Sequence, residues 1–116
     1  FILYPFATQN DQDFRNLLAV YLAAAFAPRL DRMDFLQEGW RLGHQDVGNR
    51  HSPLQFKGVV YNEMKGAFSD AGSVFYQRLQ HHLYPGTTYA HVSGGDPAAI
   101  PRLTYEQLRD AVAAKH

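Results

Sequence analysis

The sequence predicts a helix-rich α+β fold with a few antiparallel strands and about four helices. Three observations predict it. Apolar residues recur at helical spacing in four separate stretches. Strand-like runs are confined to residues 1–6 and 35–43. Turn formers, among them Pro5, Pro28 and the pair Pro85 and Gly86, punctuate the chain between these runs.

Residues 1–6 read as a short strand ended by Pro5 and the polar run at 8–11. Asn10 or Asp11 can cap the first helix. Its apolar positions are Phe14, Leu17, Leu18, Tyr21, Leu22, Ala25 and Phe26, and Pro28 ends it. After a charged turn at 29–34, residues 35–43 alternate, with Leu36, Glu38, Trp40 and Leu42 on one side, and predict a second strand. Residues 45–54 are turn formers and predict a surface loop. A helix is expected over 56–68, broken or capped by residues 69–73. Another is expected over 71–83, with Val74, Phe75, Leu79 and Leu83 on its buried side. Residues 93–97 predict a flexible loop. Thr104 with Gln107 fits a capping box, and Leu103, Leu108, Ala111 and Val112 predict the buried side of the last helix.

The chain has 116 residues, 46% of them hydrophobic, which suits one compact domain. Eleven basic and eleven acidic residues cancel, and the cations form no stripe. That argues against nucleic acid and an anionic membrane as partners. No apolar run approaches the roughly 20 residues needed to cross a bilayer. Cys is absent, so disulfides and thiolate metal sites are excluded. The chain opens on Phe1 within a strand-like run and closes at His116 on a helix with no evident cap. Residues 1–116 are therefore expected to be a single incomplete domain, a piece of something longer.

One carboxylate carries most of the chemical information. On a helix turning about 100° per residue, Phe56, Val59, Val60, Met64, Ala67 and Phe68 gather on one side, and Glu63 falls among them. A carboxylate facing a core is costly unless a cation, a metal or several donors meet it. Glu63 is thus a metal ligand, an acid–base group, or a buried acid paired with Arg or backbone donors.

The other candidates are weaker. The histidines are His44, His51, His81, His82, His91 and His116, and no pair has a zinc-site spacing around a Glu. Adjacent His81 and His82 diverge on a helix and read as an outer pair near its C-terminus. His44 and His51 flank a loop and read as solvated. Gly94, Gly95 and Asp96 lack the Lys and Ser/Thr of a phosphate loop and read as a turn. Ser69, Ser73 and Ser93 show no nucleophile-elbow pattern. Glu38 reads as a strand carboxylate near a sheet edge. Phe35, Trp40, Phe68 and Phe75 could line a chamber but read as core.

Residues 54–70, LQFKGVVYNEMKGAFSD, closely resemble the segment around the distal zinc glutamate of presequence proteases. These form a branch of the pitrilysin and insulin-degrading family of inverted-motif zinc metallopeptidases. The stretches YPFATQN (4–10), DFLQEGWRL (34–42), VSGGDP (92–97) and PRLTYEQL (101–108) resemble the family too, in the family's order. The resemblance covers nearly the whole chain.

The resemblance implies a pitrilysin-type catalytic domain of which this chain is an internal part. It implies Zn²⁺ as cofactor, held by two His of an upstream His-x-x-Glu-His helix and by a distal Glu, which is Glu63 here. Asn62, Met64 and Lys65 match the surrounding motif in supporting roles. The implied substrates are unfolded peptides, including cleaved targeting peptides. The implied partner is the remainder of the same polypeptide, with the motif helix and a C-terminal half. The implied compartment is a bacterial cytoplasm or an organelle matrix. No His-x-x-Glu-His occurs in these residues, so the isolated chain holds no catalytic base and is expected to be inactive. The rival reading is a non-catalytic relative or interaction domain in which Glu63 is a buried structural acid.

Overall fold

Asn10 starts the first helix. Its side-chain oxygen accepts the backbone N–H groups of Gln12 at 2.9 Å and Asp13 at 3.1 Å, meeting two donors that a helix start leaves unpaired. The structure is a computed structural model and describes residues 3–114. Helix α1 spans Asp11–Phe26 and stops short of Pro28. Phe14 and Tyr21 lie two turns apart on one side of it. Phe6 folds back over both, 5.5 Å from the Phe14 ring and stacked 5.2 Å from Tyr21. That packing corrects the strand expected over 1–6: residues 3–6 have no partner strand and instead run along α1. Phe1 and Ile2 lie outside the described residues.

The strand expected over 35–43 is also corrected. Asp31 caps a helical start by accepting the Met33 N–H at 2.9 Å. Helix α2, Arg32–Asp34, then runs on as a π-helical turn, Phe35–Gly39. Over so few residues an alternating pattern fits a helix as well as a strand, and here the cap decides. The extended stretch begins only at Trp40. Strand β1, Arg41–His44, pairs antiparallel with β2, Leu54–Lys57, with Leu42 opposite Phe56. The loop expected over 45–54 is found, except that Leu54 already belongs to β2. Phe56 sits on that strand too, so the helix expected from residue 56 begins later.

Helix α3 spans Val59–Ala67 and α4 spans Ala71–Leu83. Asp70 caps α4 by accepting the Ser73 N–H at 2.7 Å. Short 3-10 turns follow at Thr88–Ala90 and Ile100–Arg102. Helix α5, Tyr105–Ala113, opens on the expected capping box: Thr104 accepts from the Gln107 N–H at 3.2 Å, and Gln107 accepts from the Thr104 N–H at 2.9 Å. The α+β class and its helix-rich character are as the sequence predicts.

Burial is thin. Among the described residues, Met64 and Ile100 are the buried large apolar side chains, at 7% and 6% exposure. Of the α4 face expected to be buried, Val74 is half-buried, but Phe75 is 68% exposed, and Leu79 and Leu83 are exposed too. Leu103 and Leu108 of the expected α5 face are likewise exposed. The accessible surface is 9650 Å², where a compact folded chain of this size shows about 6,400 Å². Amphipathic faces have formed, but this chain covers few of them.

Two aromatic side chains tie distant segments together. The Trp40 indole N–H donates to the Leu103 carbonyl at 2.8 Å, and the Tyr105 hydroxyl donates to the Leu30 carbonyl at 2.8 Å. Both bonds hold the start of α5 against the α2 region. Between them opens an apolar cleft of about 580 Å³, walled by Phe35, Trp40, Val60, Ile100, Leu103 and Leu108.

Candidate functional site

Helix α3 is built outward from Gly58. That glycine is buried at the junction with β2 and has φ 155°. A Cβ there would run into the carbonyl oxygen of Gly39 and come within 2.8 Å of the Trp40 Cα. The start of α3 therefore lies directly on the backbone at the end of the π-helical turn, and only a residue without a side chain permits it. Further along, Met64 is the buried residue of α3. Its thioether lies over Gly94, where a Cβ would meet Met64 Cε at 2.9 Å. Tyr61 and Phe68 are half-buried on the same side of the helix.

Glu63 does not face a core, contrary to the sequence expectation. It is exposed. The predicted apolar side exists, but burial is turned towards Met64, Phe68 and Tyr61. Val59 is 53% exposed, Val60 is 37% exposed, and Ala67 is exposed. The carboxylate therefore stands among uncovered apolar residues. Among the described residues no hydrogen bond or ion pair to it is found. Among the described residues no Arg pairs with it, and its side chain is not buried. Val60, one turn before it, forms part of the apolar cleft wall, so the Glu63 face and the cleft adjoin. Asn62 and Lys65 lie to the other side, in a shallower depression shared with Arg41 and Lys57.

The remaining candidates stand apart from Glu63. Among the described residues no group of three or more His, Asp or Glu side chains is arranged to hold a metal ion. His44 is half-buried rather than solvated, with Nδ1 2.9 Å from the Ser52 carbonyl oxygen. Ser52 is buried in the hairpin loop and donates its hydroxyl to the Asn49 carbonyl at 2.9 Å. His51 and His91 are exposed. His81 and His82 are exposed in the last turn of α4, and His116 lies outside the described residues. Gly95 has φ 94°, and its N–H closes a turn to the Val92 carbonyl at 3.1 Å, so residues 92–95 form a structural turn. Ser73 supplies a backbone N–H to the Asp70 cap, and the Ser69 hydroxyl donates to the Gly66 carbonyl at 2.6 Å.

Glu38 is corrected from a strand position. It lies on the π-helical turn at the cleft, accepting from the Gln37 side chain at 3.0 Å. Phe35 and Trp40 wall the cleft, whereas Phe68 lies half-buried elsewhere and Phe75 faces outward. The cleft itself is the feature that sequence reasoning missed. Its residues come from the α2 region, α3, the 92–100 segment and α5, and no local pattern joins these. The run Phe35, Trp40, Leu103 and Leu108 carried the apolar signal without the pairing.

No family model matches the chain. Individual relatives match it closely. The mitochondrial presequence protease of Mus musculus is 58% identical over 109 residues, which is 94% of this chain and 10% of that protein. The Xenopus laevis mitochondrial presequence protease is 57% identical over 110 residues, 95% of this chain and 11% of its own length. That of Schizosaccharomyces pombe is 56% identical over 108 residues, 93% of this chain and 11% of its own. The chain spans about a tenth of the length of the curated relatives it matches.

Proposed function

Since the chain belongs to the presequence protease branch of the pitrilysin family, we propose that it is an internal segment of a zinc endopeptidase's catalytic domain and that Glu63 is one of the metal's ligands. The observation that carries the ligand assignment is a carboxylate without an ion-pair partner among the described residues, exposed on an apolar face of α3 that nothing in this chain covers. A lone exposed acid on a helix is ordinarily surrounded by polar neighbours. Here Val59, Val60 and Ala67 surround it, which suits a surface completed by other protein.

Glu63 fits one place in a zinc site. A carboxylate oxygen is a ligand that zinc accepts alongside imidazole nitrogens. When bound, zinc lowers the pKa of its water and polarises the scissile carbonyl. Glu63 would contribute negative charge and hold the ion in place, and it would not act as the base. The base and the two histidines would come from the remainder of the polypeptide, packed over the Val59, Val60 and Ala67 face. The substrates would be unfolded peptides, acted on in an organelle matrix or a bacterial cytoplasm. Residues 1–116 would be a single incomplete domain with no peptidase activity alone.

The test is Glu63→Gln in the full-length enzyme. The change keeps the shape and removes the charge from a residue with no hydrogen bond or ion pair among the described residues, so the fold should persist. Zinc affinity should fall by about 100-fold or more, exceeding the loss of an outer-shell partner, and peptide turnover should fall with it. Wild-type zinc content and turnover in that variant would remove Glu63 from the site.

A further inference from the structure

We infer that Gly58 and Gly94 are positioning residues for Glu63, acting through α3; the inference rests on Glu63 being a zinc ligand. Glu63 has no bonded partner of its own among the described residues, so its place is set by the helix that carries it. That helix is held at two contacts, each made on a glycine whose missing side chain leaves the room.

The first contact is at its start. Gly58 is buried, and a Cβ on it would run into the Gly39 carbonyl and come within 2.8 Å of the Trp40 Cα, at the end of the π-helical turn. A methyl group there has nowhere to go, because the obstacle is backbone. Its φ of 155° also disfavours any L side chain. The second contact lies beneath the residue next to Glu63. Met64 is buried, and its thioether rests over Gly94 in the 92–95 turn. The first contact sets the height of α3 against the α2 region, and the second sets its rotation.

Both glycines are remote from the carboxylate's own surface. Gly58 lies five residues before Glu63, and Gly94 is on the Met64 side of the helix. Either substitution therefore moves the ligand while leaving its chemistry intact. A zinc site tolerates little such movement, since its ligands must reach the ion at about 2 Å.

The experiment measures zinc affinity by chelator competition, together with melting of the metal-free protein, in full-length enzyme carrying Gly58→Ala or Gly94→Ala. Gly58→Ala should weaken zinc about tenfold or more, on the scale of losing an outer-shell partner, while the metal-free protein still melts cooperatively. Gly94→Ala should act in the same direction but less, because the Met64 thioether can yield. Met64→Ala, which removes the thioether seated on Gly94, should weaken zinc in the same direction. If Gly58→Ala does not fold, Gly94→Ala and Met64→Ala decide. A folded Gly58→Ala or Gly94→Ala enzyme with wild-type zinc affinity overturns the inference. Glu63→Gln separates the two ideas. Lost zinc in Glu63→Gln with zinc retained in the glycine variants sinks only the positioning roles. Unchanged zinc in Glu63→Gln sinks both.

Discussion

At the scale of single residues, the helical setting of Glu63 was legible and its surroundings were not. Glu63 stands out because a helical wheel places it among Val59, Val60 and Ala67. The wheel cannot say which arc of that side the rest of the chain will cover. Burial fell on Met64 and Phe68, at one edge, and left the carboxylate outside. Caps were more legible, because they act within four residues. Asp70 was read among the residues that break or cap the helix before it, and it caps α4 instead, holding the Ser73 N–H at 2.7 Å. Hydrogen bonds from the Ser73 backbone, and then from its hydroxyl, lower the Asp70 pKa below the ordinary carboxylate value. The sign follows from linkage: a depressed folded pKa gives stability that is present above the unfolded value and lost as pH falls through the folded one. The first turn of α4 should therefore stay protected at neutral pH and loosen only under acid stronger than that titrating a free Asp. Amide exchange at Ser73, followed across the acid range, should show this. In Asp70→Asn, where the acceptor remains but the charge does not, the pH dependence should vanish. An unchanged acid profile in that variant would assign the loosening to another group.

At the scale of elements, helices with a strong start signal were found where the sequence placed them. Helix α1 begins after Asn10, α4 after Asp70 and α5 after Thr104. The failures share one cause, which is a short apolar run without a decisive local signal. Residues 35–39 alternate like a strand yet continue the helix that Asp31 starts, while Leu54–Lys57, divided between a predicted loop and the start of a predicted helix, pair with β1. Pairing and cap, both outside the run, settled each case. The α5 box is the best-defined of these starts, with both reciprocal bonds present. Thr104→Ala removes the side-chain half and leaves the Gln107 N–H without its partner. The loss should be about 1 kcal/mol, or roughly a fivefold rise in the opening of the first turn. Hydrogen exchange of the α5 amides in the full-length enzyme would measure it. The effect should stay within α5, because the Trp40 and Tyr105 hydrogen bonds fasten its start independently. A change spreading to α1 would mean the cap supports more than its own helix.

At the scale of the whole molecule, the chain makes faces but not a closed core. Its radius of gyration is 18.1 Å, against about 13 Å for a compact domain of this length. The same cause accounts for the cleft that stands open between Trp40, Val60 and Leu108 and for the bare apolar surround of Glu63. Composition showed enough apolar residues for a core, but composition cannot say where the covering partners come from. If the remainder of the polypeptide supplies both the covering surfaces and the other zinc ligands, then stability and activity should be missing together from the isolated chain. Residues 1–116 alone should bind a hydrophobic dye strongly, as open apolar faces do. They should scatter X-rays with a radius of gyration near or above 18.1 Å. With zinc added they should cleave no unfolded peptide, since one carboxylate cannot hold the ion as three protein ligands do. A compact, dye-silent chain would show that the exposed faces are met within these residues after all. Zinc-dependent cleavage by the isolated chain would be more damaging, because it would require ligands and a base that the sequence does not place beside Glu63.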